Sequence, residues 1–259
     1  MWQSDGWGWR ARIGLLTPHA DIGPESEFRA MAPEGVSIHA ARVPLGSYAQ
    51  GGTIDRPVTL DDAASFAEPP MIDDAAEMLA AAPLHAIAFG FTSSSYVRGV
   101  AGDASLKTRL ETRTRGIPVV IASASATVAL RTLGIQRLAL IHPPWFSVEL
   151  DRLGAEYFRQ QGFEVVFHGL AGLPADQRAI HPGQLYEWVR THIPKNADAV
   201  FLGGGGLRAI GVIEALEEDL GRPVLTANQV AFWHALRLSG ARMTISNYGR
   251  LFGYSVASP

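Results

Sequence analysis

Short apolar segments alternate along the chain with longer stretches in which apolar residues recur every three or four positions. The short segments are continuous and rich in β-branched residues, which is typical of strands buried on both faces of a parallel sheet. The pattern predicts eight such strands, at residues 13–17, 37–43, 86–91, 117–122, 137–142, 164–169, 199–202 and 223–226.

The longer stretches have the spacing of amphipathic helices, as in the apolar face formed by Leu150, Leu153 and Tyr157. They predict helices at residues 73–82, 104–114, 124–133, 148–161, 183–192, 208–220 and 230–239. Strands that alternate with helices form a parallel α/β architecture with right-handed crossovers. The sequence therefore predicts an α/β protein.

The segment 45–71 lacks this periodicity and is rich in Gly, Pro, Asp and Ala. A segment of this length, which here contains Tyr48, is either a lid or entrance loop at a binding site or a surface connection with a short helix near residues 60–66.

Composition narrows the classes of function. The 259 residues suffice for two lobes, and neither the net charge of -3 nor any cluster of Lys and Arg favours nucleic acid as a partner. The chain contains no cysteine, which excludes a disulfide, a zinc–thiolate site and a thiolate nucleophile. No apolar run of about 18 residues and no secretory signal is present, so we expect no membrane association and a cytoplasmic location.

Three tryptophans lie near the N-terminus, at Trp2, Trp7 and Trp9. We expect them to pack on the protein's own surface or on a second subunit, because large apolar side chains are costly to leave in water.

Ligands of parallel sheets bind beyond the C-terminal ends of the strands. One predicted strand ends at Phe91 and is followed by four hydroxyl residues, Thr92, Ser93, Ser94 and Ser95. Hydroxyls beside the free N–H groups of a helix start suit a carboxylate or a developing enediolate. Helix capping and turn formation are the alternative interpretation.

Another predicted strand is followed by four glycines at residues 203–206. Glycine allows backbone N–H groups to approach an anion closely, although a tight strand-to-helix turn is the alternative. The run lacks the Gly-Lys-Ser/Thr ending of a phosphate loop and the spacing of a dinucleotide site.

Three titratable residues also follow strands. Asp21 could act as a general base, a ligand orienter or a helix cap, and His19 lies beside it. His142 ends a strand before Pro143, Pro144 and Trp145, where it could be a packed residue or a proton donor. No cluster of His, Asp and Glu has metal-ligand spacing, and no G-x-S-x-G motif supports serine hydrolysis.

Several segments together resemble the aspartate/glutamate racemase superfamily, in particular its maleate isomerases and arylmalonate decarboxylases. Five motifs carry the likeness. They are the opening R-I-G with a proline and then E-x-E-F, the F-T-S of residues 91–93, the L-G-G-G-G-L of residues 202–207, the T-A-N-Q of residues 226–229 and the closing Y-G-R-L-F. They span nearly the whole chain in the family's order.

The resemblance implies two similar lobes, each with a parallel four-stranded sheet flanked by helices, and an active site in the cleft between them. It assigns residues 1–115 and 227–259 to an N-terminal lobe and residues 116–226 to a C-terminal lobe. It also implies that no cofactor is used and that the protein is a homodimer.

The same resemblance places Phe91 and Gly204 at the two positions where relatives carry catalytic cysteines, and Asp21 where the isomerases carry asparagine. Thiol racemisation and cysteine-based isomerisation are therefore excluded. The retained frame implies Asp21, Thr92, Ser93 and His142 as catalytic candidates. Candidate substrate-binding residues are His19, Phe91, Ser94, Ser125, Trp145, Gly204, Gly205, Gly206 and Asn228.

Two functions follow. The first is a cysteine-free lyase of the decarboxylase type that acts on a small carboxylic or malonate-like acid through an enediolate. Its proton would come from water, Asp21, His19 or His142. The second is a non-catalytic protein that binds small carboxylates and descends from such enzymes.

Overall fold

The computed structural model describes residues 5–49, 52–54, 56–241 and 243–254. Within these ranges, eight strands form two sheets of four, and every strand pair is parallel. The first sheet has the order β2-β1-β3-β4 and contains β1 (Ala11–Pro18), β2 (Val36–Val43), β3 (Ala86–Phe89) and β4 (Val119–Ile121). The second has the order β6-β5-β7-β8 and contains β5 (Arg137–His142), β6 (Glu164–Leu170), β7 (Ala199–Leu202) and β8 (Val224–Thr226).

Helices flank both sheets, which confirms the predicted two-lobed α/β fold. They are α1 (Gly23–Met31), α2 (Leu60–Ser65), α3 (Met71–Leu79), α4 (Thr92–Arg113), α5 (Ala122–Thr132), α6 (Val148–Gln160), α7 (Pro182–His192), α8 (Ile213–Leu220) and α9 (Ala227–Leu238). Short 3-10 turns occupy Gln177–Ala179, Ile210–Val212 and Arg250–Gly253.

Two helices differ from the sequence prediction. Helix α1 is absent from it because its buried face is short, consisting mainly of Phe28 and Met31 after a proline in the first turn. Helix α4 begins at Thr92, well before the predicted start at residue 104. Its first turns carry the hydroxyl run, and Gly99 kinks the helix at a φ of 68°, so the apolar periodicity is interrupted there.

The predicted boundary between the lobes needs one correction. Strand β4 falls in the segment assigned to the C-terminal lobe, yet it pairs with β3 of the first sheet. The prediction therefore placed the change of lobe one strand too early. Helix α9 packs against β3 and α5 and buries Trp233 completely.

Two of the three N-terminal tryptophans, Trp7 and Trp9, are not buried by the described part of the chain. Trp7 is 78% exposed and Trp9 is 64% exposed, with the guanidinium of Arg10 over the Trp9 ring at 4.5 Å. Packing on the protein's own surface is therefore wrong for these two, because the described residues leave most of each ring exposed. Trp2 lies outside the described residues. Within the described ranges, no helix has both the length and the apolar character required to cross a bilayer.

Candidate active site in the cleft between the sheets

The C-terminal ends of strands from both sheets meet at one small cleft, with about 300 Å³ of empty space when the solvent at its mouth is included. Its lining comes from the loops after β1, β2, β3, β5 and β7, so five strand ends contribute to it. The lining residues are Asp21, Leu45, Tyr48, Val58, Phe91, Thr92, Ser93, Trp145, Phe146, Gly204, Gly205 and Gly206.

One wall is the start of α4. Phe91 precedes the helix in extended conformation, and no side chain caps the helix. The N–H groups of the first turn therefore remain available at its positive end. The hydroxyls of Thr92 and Ser93 are buried, and neither has a partner at full hydrogen-bond geometry among the residues that the structure describes, although the Thr92 hydroxyl lies close to that of Tyr96. Because buried hydroxyls without such a partner are costly, this wall is suited to an anionic ligand that would accept from them.

The facing wall is the glycine loop, which we define as residues 203–206. Gly204 has a φ of 85°, and a β-carbon on it would lie 2.3 Å from Cγ of Pro143. Glycine is therefore required there by both conformation and space. Across the described part of the chain, no hydrogen bond engages the N–H groups of Gly204, Gly205 or Gly206.

The glycine loop is held from behind by two buried polar residues. The Asn228 side-chain amide donates to the carbonyl of Gly205 at 2.8 Å and to the Glu27 carboxylate at 2.7 Å. Glu27 also accepts from the backbone N–H groups of Ala209, at 2.8 Å, and Ile210, at 3.2 Å. Burial raises the pKa of Glu27 to about 7, against the opposing effect of these donors.

Asp21 supplies the carboxyl group of the cleft. It is only 5% exposed, and its Oδ1 accepts from the N–H of Gly23 at 2.9 Å. Burial raises the pKa of Asp21 to about 6, while the Gly23 bond, the Tyr48 hydroxyl and the charge of Arg42 oppose the increase. An acid with this pKa is able both to give and to take a proton near neutral pH.

Aromatic side chains make the remaining surface apolar. The Phe91 ring packs against Phe66, next to α2, at a centroid distance of 4.5 Å, and Trp145 and Phe146 are buried on the other side. The segment 45–71 contributes Leu45, Tyr48 and Val58. It is tied across the cleft because the Val58 N–H donates to the Trp145 carbonyl at 2.9 Å.

Five of the predicted site residues lie outside the lining, namely His142, His19, Ser94, Ser125 and Asn228. Nδ1 of His142 lies 2.7 Å from Asp151, which also contacts His168, and the His142 ring stacks behind Phe146. His19 is exposed and accepts from the Leu45 N–H at 3.1 Å. Ser94 donates to the Ala63 carbonyl at 2.6 Å, and Ser125 contacts His234 at 3.0 Å.

Asn228, also predicted to bind substrate, lies behind the glycine loop, where both of its side-chain N–H groups are already used. The other predicted residues, Asp21, Phe91, Thr92, Ser93, Trp145 and the three glycines, all line the cleft.

Sequence reasoning missed five contributors, Leu45, Tyr48, Val58, Phe146 and Glu27, as parts of the site. Leu45, Tyr48 and Val58 lie in the aperiodic segment, where no pattern indicates which side chain turns inward. Glu27 stands in the E-x-E-F motif, but nothing in the motif shows that this carboxylate is buried. Its low exposure of 7% follows from the fold alone.

A larger open space of about 1090 Å³ lies on the other side of the glycine loop. Gly206 borders both spaces, and Glu27 is among the residues that line the larger one. Among the described residues, no group of three His, Asp or Glu side chains is arranged to hold a metal ion.

Comparison with known proteins shows which sequences this chain is similar to. The family model described as arylmalonate decarboxylase matches residues 62–252. An arylmalonate decarboxylase from Bordetella bronchiseptica is 32% identical over 170 residues, which cover 63% of this chain and 69% of the relative. A maleate isomerase from Geobacillus stearothermophilus is 26% identical over 255 residues, covering 93% of this chain and 96% of the relative.

Solved structures show the same fold. A maleate isomerase from Pseudomonas putida S16 with maleate superimposes with a TM-score of 0.81 at 20% identity, covering 95% of this chain and 98% of the other. A variant of arylmalonate decarboxylase in a sulfate-associated form gives a TM-score of 0.76 at 25% identity, covering 93% of this chain and 99% of the other.

Proposed function

The chain belongs to the arylmalonate decarboxylase family, and on this basis we propose that it is a cofactor-independent, cysteine-free lyase of the decarboxylase type. Its substrate is a small carboxylic or malonate-like acid. One observation carries the proposal: two buried hydroxyls without partners at full hydrogen-bond geometry in the described structure, the free N–H groups of the glycine loop and a carboxyl group with a raised pKa line the same small cleft.

The first step is binding of one carboxylate of the acid. Its oxygens accept from the Thr92 and Ser93 hydroxyls and from N–H groups of the glycine loop. When the second carboxylate leaves as CO₂, the electron pair of the broken C–C bond moves onto the retained carboxylate and forms an enediolate. The donors then face a doubly charged group, and each such donor contributes about 3–4 kcal/mol to transition-state stabilisation.

The departing carboxylate occupies the apolar part of the cleft, formed by Leu45, Val58 and Phe91. A carboxylate is poorly solvated there, whereas CO₂ is neutral, so the surroundings favour its departure.

Asp21 then delivers the proton. Its neutral form donates to the carbon of the enediolate and becomes a carboxylate, which regains a proton from water. With a pKa of about 6, close to one tenth of Asp21 is protonated at pH 7, which suffices for a turnover that ends with proton uptake. His142 and His19 lie outside the cleft lining, which favours Asp21 over them as the donor.

The alternative is a protein that binds small carboxylates without turnover. The absence of cysteine in a family whose relatives are maleate isomerase and arylmalonate decarboxylase motivates it.

A panel of malonate, methylmalonate, phenylmalonate and maleate distinguishes the two. We expect CO₂ release and a monocarboxylate product from at least one malonate, with proton NMR as the readout and a Thr92→Ala/Ser93→Ala double variant as the control. Binding of the acids by calorimetry without any product would instead support the carboxylate-binding alternative. Product formation by the double variant at the wild-type rate would contradict the proposed mechanism.

A further inference from the structure

The Glu27 side chain joins three elements at one buried point. It belongs to α1, its Oε2 accepts from Asn228 of α9, and its Oε1 accepts from the N–H groups of Ala209 and Ile210 after the glycine loop. The carboxylate is only 7% exposed, and both of its oxygens accept hydrogen bonds from these three donors, so the buried group is satisfied. The mechanism proposed above assigns no step to this carboxylate.

Asn228 connects this carboxylate to the cleft. One of its two amide hydrogens is given to Glu27, and the other is given to the Gly205 carbonyl at 2.8 Å. The Glu27 carboxylate accepts only from the nitrogen of this amide, so it fixes which side of the Asn228 side chain faces Gly205. Without it, the amide could turn and present an oxygen to the carbonyl.

The Gly205 carbonyl and the Gly206 N–H belong to the same planar peptide group, in which they point in opposite directions. When the carbonyl is held toward Asn228, the N–H of Gly206 is held on the other side. Gly206 borders the cleft, and its N–H is unengaged among the described residues. A run of four glycines has no side chains to restrict this peptide, so an external tether is needed to fix it.

We propose that Glu27 is a positioning residue which, through Asn228, holds the Gly205–Gly206 peptide with the Gly206 N–H directed at the bound carboxylate. The inference deepens the proposed function by assigning the donor that faces the anion. It rests on that function for the carboxylate that the cleft binds, and it does not depend on decarboxylation, because binding of malonate tests it without any chemistry.

The substitution Glu27→Gln separates orientation from packing. Glutamine has nearly the same volume, and its oxygen can keep the bonds from Ala209 and Ile210. Its NH₂ group then faces the NH₂ group of Asn228, so the tether to Gly205 is disturbed. We expect malonate affinity to fall by at least about tenfold, which corresponds to the loss of one hydrogen bond to a charged group.

The double variant Glu27→Gln/Asn228→Asp provides the discriminating measurement. The glutamine amide introduced at position 27 donates to the new carboxylate, so the contact between the two side chains is restored. The aspartate has no hydrogen for the Gly205 carbonyl, so the peptide remains untethered. We expect thermal stability to recover relative to the single variant, while malonate affinity stays low.

The experiment measures malonate binding by calorimetry, the Gly206 amide signal in ¹⁵N-glycine-labelled protein and the melting temperature. In wild type, malonate is expected to shift the Gly206 amide strongly, and Glu34→Gln, an exposed glutamate near the end of α1, serves as the unaffected control. Asn228→Ala, which removes the tether but leaves Glu27 bound to Ala209 and Ile210, replaces Glu27→Gln if that variant does not fold.

Three results would overturn the inference: unchanged malonate affinity in Glu27→Gln, full recovery of affinity in the double variant, or no effect of malonate on the wild-type Gly206 amide. A wild type that binds malonate through Gly206 but releases no CO₂ would overturn the lyase proposal and leave this inference standing.

Discussion

Gly204 and Pro143 are in such close contact that position 204 has no room for a side chain. A β-carbon at Gly204 would lie 2.3 Å from Cγ of Pro143, and the residue has a φ of 85°. The space that a thiol would need at this position is therefore occupied by the proline ring.

The contact predicts an unusually large effect of Gly204→Ala on stability. A positive φ alone costs an alanine about 1 kcal/mol, and the clash with Pro143 adds about 1–3 kcal/mol. Gly162→Ala is the matched control, because Gly162 has a φ of 89° and no atom within 4 Å of the added β-carbon. Urea unfolding of both variants measures the difference, and equal losses would show that Pro143 gives way freely.

The substitutions Thr92→Ala and Ser93→Ala should each lower kcat/KM by about 100-fold, because each removes one donor to the enediolate. The melting temperature should stay the same or rise, since each variant also removes a buried hydroxyl that lacks a partner at full hydrogen-bond geometry in the described structure. Thr112→Ala, at the exposed end of α4, is the control. If the two variants lose activity only in proportion to their loss of stability, the Thr92 and Ser93 hydroxyls have a structural role and do not bind the enediolate.

The rate should depend on the protonation of Asp21. Because the neutral acid donates the proton and its pKa is about 6, kcat should fall roughly tenfold per pH unit above pH 6. Asp21→Asn should be far slower and should lose this dependence, whereas Asp61→Asn on the surface should behave as wild type. A wild-type kcat that is constant from pH 5 to 8 would exclude Asp21 as the donor.

Asp21 should also make folding stability depend on pH. Its pKa is about 6 in the folded chain against 3.8 for an exposed carboxyl, so the folded state retains a proton that the unfolded state has released. The free energy of unfolding should therefore fall as pH rises from about 4 to about 6, by about 3 kcal/mol from this group.

Urea unfolding at several pH values tests this dependence. Asp21→Asn should flatten the curve over that range. The free energy of unfolding should still fall with pH up to about pH 7 in this variant, because burial also raises the pKa of Glu27. An unchanged slope in Asp21→Asn would mean that the carboxyl is ionised normally in the folded protein.

Phe91 should limit the size of the acid that the cleft accepts. Phe91→Ala removes a ring that packs on Phe66 and should cost about 3 kcal/mol of stability while opening space beside Thr92. Phenylmalonate affinity should therefore rise relative to that of malonate. Phe163→Ala, another buried aromatic but remote from the cleft, should lose stability without changing this ratio, and calorimetry with both acids measures it.

Much of the fold follows from the sequence because buried parallel strands are apolar throughout and are separated by regular amphipathic helices. All eight strands lie where the pattern predicts them, within a few residues. The start of α4 and the short helix α1 were missed because local polar or short segments carry little periodicity. The glycines and hydroxyls of the site could be predicted because they directly follow strands, and ligands of parallel sheets bind at those strand ends.

Other parts of the site depend on contacts that no local pattern encodes. His142 has the sequence context of a site residue, but its ring is directed at Asp151 and covered by Phe146. Asn228 was expected to contact substrate, and instead its amide hydrogens are donated to Glu27 and Gly205. The partners of Asn228 are far from it in the sequence, and the direction of the His142 ring is set by the residues packed around it, so neither could be read from the local sequence.

The bond between Val58 and Trp145 has a consequence for how a ligand arrives. It links the segment that carries Leu45, Tyr48 and Val58 to the loop after β5 at the cleft, and we predict that an acid enters after this bond breaks. Association then includes a unimolecular opening step. The observed on-rate should reach a plateau at high ligand concentration, and shortening or loosening the segment should raise that plateau without altering the chemistry.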